Sequence, residues 1–138
     1  MNVQTYLFFD GRCEEAIAFY QQVLRAKVTF LMRFKDGPPG FAPDGWGEKV
    51  YHATLRIGQT MVNMSDDPSS ERSRFAGFAL LAHADDDAEA ERIFAGLRER
   101  GDVRMELRPT MWASRYGIVS DRFGVTWKVQ SGSGGGAG

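Results

Sequence analysis

Lys49-Val50-Tyr51-His52-Ala53-Thr54-Leu55-Arg56-Ile57-Gly58-Gln59-Thr60-Met61-Val62-Asn63-Met64 is the stretch whose reading decides the fold. Residues 49–57 alternate in character. Tyr51, Ala53, Leu55 and Ile57 make an apolar face, and Val50, His52, Thr54 and Arg56 make the other. Successive side chains of a strand point to opposite sides, so one side suits a core and the other a mixed-polarity surface. Gly58-Gln59 then turns the chain into a second strand, Thr60–Met64, which completes a hairpin.

Upstream, Lys27–Phe34 reads as a strand, followed by a long Gly/Pro-rich loop, Lys35–Glu48. Before them Cys13, Ala16, Ile17, Tyr20, Val23 and Leu24 recur at helical spacing. Asp10 is the expected N-cap, with Glu14 and Glu15 in the first turn, where the helix dipole favours acids. Val3–Phe9 is a short aromatic-rich strand ended by Asp10-Gly11. Downstream the order recurs. Phe75–His83 is a strand. Asp86 with Glu89 opens a helix whose apolar face is Ala90, Ile93, Phe94 and Leu97, and Gly101 sits where a helix-terminating glycine belongs. Val103–Leu107, Tyr116–Ser120 and Val125–Gln130 are three further strands.

The order is therefore β-α-β-β-β, twice. Residues repeat with the elements: Glu15-Ala16 and Phe19-Tyr20 match Glu89-Ala90 and Ile93-Phe94 at an offset of 74, and Arg56–Thr60 matches Arg122–Thr126 at an offset of 66. Repetition of a supersecondary unit points to duplication. One domain is expected over residues 1–130, with module one at 1–66, a polar linker at 67–74 and module two at 75–130. Residues 131–138 form a Gly/Ser/Ala tail expected to be flexible.

The 138 residues fit one domain, and 43% apolar content is enough for a core. A net charge of −1 without a basic stripe argues against nucleic acid. No stretch reaches the length of a membrane span. Cys13 is the single cysteine, which excludes an intrachain disulfide framework. Without a secretory signal at the N-terminus, the expected location is cytoplasmic.

Tyr6–Gly11 with Glu14-Glu15-Ala16 and Phe19-Tyr20, the strand Lys49–Gly58, and the ending Trp112, Gly117, Asp121–Val125 and Trp127 together resemble the PhnB-like branch of the vicinal oxygen chelate superfamily, which includes glyoxalases, bleomycin-resistance proteins and dioxygenases. The resemblance spans residues 3–130. It implies an α+β fold of two βαβββ modules whose curled mixed sheets surround a concave cavity, and a homodimer.

Strand alternation agrees with a cavity. In the last strand Val125, Trp127 and Val129 form an apolar face, and Thr126, Lys128 and Gln130 a polar one; Tyr116, Ile118 and Ser120 should share the face of His52 and Thr54 through the repeat. Polar groups buried unpaired cost about 1–3 kcal/mol each, so such faces call for solvent or a ligand. The expected ligand-binding residues are Phe9, Thr54, Trp112, Tyr116 and Lys128, with Phe41 and Trp46 of the long loop as a lid. The opposing readings are ordinary packing for the aromatics, a surface lysine for Lys128 and a loop without a role. His52 is the candidate general acid/base, because imidazole is suited to proton transfer near neutral pH; otherwise it is a hydrogen-bonded histidine in a half-buried sheet. Cys13, on the apolar helix face, reads as an inert core thiol.

Metal-using members of the superfamily carry His, Gln or Glu on the first strand of each module and Glu on the last. Here the first-strand slots near Leu7–Phe9 and Phe78–Leu80 are apolar, the last-strand slot is Lys128, and its counterpart in module one is read as Val62. A protonated ammonium cannot ligate. No metal ligands and no cofactor are expected, and a divalent metal is disfavoured. The reading is a protein that binds a small, partly apolar molecule without the superfamily's usual metal. The alternatives are a metal-independent enzyme using His52 and a metal-dependent lyase or dioxygenase. A methyltransferase is opposed by the lack of a Gly-rich strand-to-helix turn for a nucleotide-like cofactor.

Overall fold

A computed structural model describes residues 1–40, 42–68 and 74–132. The chain divides into two compact units, Met1–Ser73 and Arg74–Gly138.

In the first unit, β1 (Thr5–Phe9), α1 (Cys13–Leu24), β2 (Lys27–Arg33), β3 (Val50–Ile57) and β4 (Thr60–Asp66) follow in order, with a short 3-10 turn at Phe34–Asp36. The sheet runs β1-β4-β3-β2; β1 lies parallel to β4 and the other pairs are antiparallel. Leu7, Ala53, Leu55 and Met64 are at most 1% exposed and form the core with the apolar stripe of α1, as the alternation predicts. Val50 departs from it: read as part of the open face, it is fully buried.

The start of α1 is held differently from the expected Asp10 cap. Arg12 occupies the N-cap and makes no side-chain capping bond. Asp66, from the end of β4, supplies the acceptor instead. Its Oδ1 takes the Cys13 N–H at 2.9 Å and its Oδ2 the Val50 N–H at 3.0 Å. A third bond comes from the Gly11 N–H, and burial still raises the Asp66 carboxyl above the usual carboxylate range. One carboxylate thus ties helix, β3 and β4 together, satisfying donors that a helix start leaves open. Cys13 is 0% exposed, and burial together with Asp66 and Glu14 pushes its thiol far up. A thiolate is the reactive form. Native protein should therefore leave a thiol-reactive dye unmodified over hours, and denaturant should release one fast-reacting equivalent; rapid labelling of the native protein would contradict the packing.

In the second unit, β5 (Leu80–Ala84), α2 (Asp87–Arg98), β6 (Asp102–Arg108), β7 (Arg115–Ser120) and β8 (Thr126–Ser131) give a sheet of order β5-β8-β7-β6, with β5 parallel to β8. The Asp86 cap is present: its side chain accepts the Glu89 N–H at 2.8 Å, while Glu89 accepts the Asp85 N–H. Gly101 does not take the left-handed conformation expected of it; Arg100 does, with φ 61°. Gly101 is needed for space, since a Cβ there would lie 2.5 Å from the Ser120 carbonyl oxygen and 2.8 Å from that of Leu97.

Two boundaries move. The first strand of this unit starts at Leu80 rather than Phe75. Ser131, read as the start of the tail, ends β8 instead, 2% exposed, with its hydroxyl on Asp87 at 2.7 Å. The rest of the expected tail, from 133 on, and linker positions 69–73 lie outside the described residues.

Both sheets thus follow β-α-β-β-β, the α+β class expected. Their registers also align the repeat. Thr54 pairs with Asn63, which neighbours Tyr6; Ile118 pairs with Lys128, which neighbours Leu81. The counterpart of Lys128 is therefore Asn63, not Val62, which is 5% exposed. The β7–β8 turn is one residue longer than its equivalent, and a one-residue slip exchanges the faces of a strand. The same alignment matches His52 with Tyr116 and Ala53 with Gly117.

Candidate functional site

The side of the first sheet away from the core gathers most of the chemistry. β1 turns Leu7 and Phe9 inward at 1% and 2% exposure and leaves Tyr6 and Phe8 outward at 39% and 49%. Phe9 therefore belongs to the core. The period of two that buries Leu7 buries Phe9 with it, and the aromatic rings of the open face are those of Tyr6 and Phe8. On β2, Phe30 stands opposite Thr54 and Met32 opposite His52.

A continuous line of hydrogen bonds crosses this face. Tyr6 Oη lies 2.8 Å from His52 Nδ1, and His52 Nε2 lies 3.2 Å from Thr54 Oγ1. Thr54 donates to Asn63 Oδ1 at 2.9 Å, and Asn63 Nδ2 donates to Gln4 Oε1 at 2.9 Å. Around it the rings lie close: Tyr6 to Phe8 at 5.0 Å, Tyr6 to His52 at 5.5 Å and Phe30 to His52 at 5.8 Å between centroids. Partial burial raises the Tyr6 phenol above its ordinary value, against a hydrogen bond from Ser65 that lowers it. The phenol is therefore protonated at neutral pH and can act as a donor.

The other expected residues fall elsewhere. Trp46 sets its ring edge-on to Phe34 at 5.8 Å, and Phe34 packs edge-on to Tyr51 at 5.3 Å. Tyr51 alternates to the side of β3 opposite His52, so this cluster anchors the loop away from the open face. Phe41, the other expected lid residue, lies outside the described residues. In the second unit, Trp112 is 45% exposed and meets Tyr116 edge-on at 5.2 Å, while Tyr116 is 8% exposed. Gly117 points at Phe94 of α2, so Tyr116, Ile118 and Ser120 take the open side, as the repeat predicts. Half-buried Lys128 shares that side, opposite Ile118 and beside Leu81. His83 also points there from β5, opposite Gln130.

A divalent catalytic ion asks for about three protein donors. Among the described residues no three His, Cys, Asp or Glu side chains come together. On the first sheet both nitrogens of His52 already have partners, and its neighbours are a phenol, a hydroxyl and an amide. On the second, an ammonium holds the last-strand position. These residues do not fit the superfamily's usual metal. The missed participants were Tyr6, Asn63, Phe8 and Phe30. Alternation through β1 could have found Tyr6 and Phe8; the bonds to His52 and Thr54 depend on strand pairing that local patterns do not encode.

Among the described residues no helix is long and apolar enough to cross a membrane. Protein YjdN of Escherichia coli K12 is 32% identical over 138 aligned residues, 94% of each chain. The crystal structure of PA1353 from Pseudomonas aeruginosa matches with a TM-score of 0.85 at 37% identity, covering 95% of this chain and 97% of that one. The PhnB protein of Bacillus cereus, described as a putative 3-demethylubiquinone-9 3-methyltransferase, matches at a TM-score of 0.80 and 22% identity over 96% of this chain and 100% of its own; at that identity the likeness is one of fold. The Glyoxalase/Bleomycin resistance protein/Dioxygenase superfamily profile matches residues 2–129. With that match spanning nearly the whole chain, and with β-α-β-β-β present twice, the protein belongs to the glyoxalase/bleomycin resistance protein/dioxygenase superfamily.

Proposed function

We propose that this protein binds a small, partly apolar molecule on the open face of its first sheet, without the divalent metal usual in the superfamily. One observation carries the reading: a hydrogen-bonded line from Tyr6 through His52 and Thr54 to Asn63 lies among aromatic rings that remain 39–49% exposed. Rings with a few placed polar groups are the usual composition of a small-molecule site. In the second unit, taken by itself, Lys128, Tyr116 and Trp112 are proposed as ligand contacts on the open side of its own sheet. The cytoplasm as location and a homodimer as working state belong to the same proposal; light scattering at micromolar concentration tests the latter.

The Tyr6–His52 bond favours a second reading, a metal-independent enzyme in which His52 exchanges a proton with ligand through the phenol. Amide-correlation NMR of the isotope-labelled protein, titrated with an aromatic fragment library, addresses the first reading. Shifts are expected at Tyr6, Phe8, Phe30 and Thr54, and His52→Ala should weaken the hits several-fold, by the loss of about one hydrogen bond. Hits that perturb only other surfaces would sink it. A hit that is turned over by the wild type, but only bound by His52→Ala, would establish the enzyme.

A further inference from the structure

We propose that the open face of the first sheet selects an uncharged aromatic molecule carrying an O–H or N–H donor, and that the Tyr6 oxygen is the acceptor which receives it. The proposal rests on the small-molecule reading above and names the ligand class for the same face.

The direction of the hydrogen-bonded line carries it. Asn63 Nδ2 sits 2.9 Å from Gln4 Oε1 and 3.4 Å from the backbone oxygen of Thr5. A backbone carbonyl can only accept, so the amide nitrogen is on that side and Oδ1 faces Thr54. An amide oxygen cannot donate, so the Thr54 hydroxyl gives its one proton to Asn63 at 2.9 Å. Thr54 Oγ1 can then meet His52 Nε2, 3.2 Å away, only as an acceptor. That places the proton of a neutral imidazole on Nε2 and leaves Nδ1 an acceptor. Tyr6, 2.8 Å from Nδ1, must donate. The phenol oxygen therefore has no proton to offer; one of its lone pairs receives the Ser65 hydroxyl, and the other remains as an acceptor at a half-exposed position. A ligand ether or carbonyl finds no donor at Tyr6; a ligand O–H or N–H finds an acceptor.

Charge and shape narrow the class further. Tyr6, Phe8, Phe30, His52, Thr54 and Asn63 bring no Lys, Arg, Asp or Glu to the middle of this face. A charged ligand would lose hydration there without a counter-charge, which is costly. Phe8 and Phe30 lie on either side of the Tyr6–His52 pair and offer flat apolar surface to a ring.

The experiment uses the full chain and three probes of one shape: 2-naphthol, 2-methoxynaphthalene and 2-naphthoate. Side-chain nitrogen shifts of His52 first report the tautomer, which should be Nε2–H; Nδ1–H would overturn the proposal. In amide-correlation titrations 2-naphthol should bind roughly tenfold more tightly than either other probe, the worth of one well-placed hydrogen bond. Tyr6→Phe should erase the difference between 2-naphthol and 2-methoxynaphthalene. Thr54→Val keeps the phenol but removes the acceptor for Nε2–H. It should shift His52 towards the other tautomer and narrow the preference, giving a second reading should Tyr6→Phe fold poorly. Equal wild-type affinities for the two neutral probes would overturn the ligand class and leave small-molecule binding on this face standing. No shifts at this face with any probe would overturn both.

Discussion

Replacing Asp121 by alanine should lower the stability of the protein by about 4 kcal/mol, with a fall in Tm of about 15 °C. Asp121 directly follows β7 at 3% exposure, and its carboxylate organises the turn into β8. Oδ1 accepts the backbone N–H of Phe123 at 2.9 Å and of Val125 at 3.1 Å, while Oδ2 accepts the indole N–H of Trp127 at 3.0 Å. Val125 and Trp127 are 0% and 4% exposed, so water cannot readily replace the lost acceptor. Each stranded buried donor costs about 1–3 kcal/mol. Asp121→Asn discriminates this account from a general effect of lost charge. Its amide oxygen can still serve the two backbone donors, but its NH2 then faces the indole N–H, so about half the loss should remain. Faster exchange of the Trp127 indole proton in both variants reports the local break. Loss of less than about 1 kcal/mol in Asp121→Ala would show that the turn does not depend on these bonds.

Asp121 also marks the limit of what local pattern reveals. The strand–helix–strand–strand–strand order, the helix faces and the alternation of β3 and β8 are visible because burial at a period of two or 3.6 leaves its trace in consecutive residues. Nothing near Asp66 in sequence says that it meets the N–H of Cys13. Val62 was taken for Asn63 because the repeat was aligned through Arg56-Ile57-Gly58 and Arg122-Phe123-Gly124, whose turns differ by one residue. Within the candidate site His52 and Thr54 were legible, since they share a face of one strand. Phe9 was preferred to Tyr6 and Phe8 because an aromatic-rich strand can be set in either phase until its core-facing partners are known. Tyr6 reaches His52 only through the parallel pairing of β1 with β4, a long-range contact with no local signature.

Gly117→Ala should cost about 3 kcal/mol, although it adds a single methyl group. A Cβ at Gly117 would lie 2.7 Å from Cε2 of Phe94 and 3.0 Å from the backbone N and Cα of Leu107. Phe94 is 3% exposed in the core beneath α2, so its ring has nowhere to retreat, and the Leu107 contact is with the main chain of β6. The strain therefore has two sources, and they can be separated. Phe94→Leu alone opens a void and should cost about 1–2 kcal/mol. Combined with Gly117→Ala it vacates the ring position, so the double variant should be less destabilised than the sum by about 1 kcal/mol, without returning to wild type because β6 still blocks the methyl. The first unit supplies an internal control. Ala53 holds the matching register position at 0% exposure, so Ala53→Gly should lose about 1 kcal/mol through backbone freedom and a small void. Opposite signs for adding and removing one Cβ would be the expected contrast only if both positions tolerated it. Instead each unit should be harmed by acquiring the other's residue, because β3 is packed around a methyl and β7 around its absence. Tyr116 and Ile118 flank Gly117 and point to the open side, so the same substitution should also shift the Trp112–Tyr116 ring pair in amide-correlation spectra. An additive cycle, or a Gly117→Ala variant as stable as wild type, would mean that α2 can ride up from the sheet at little cost.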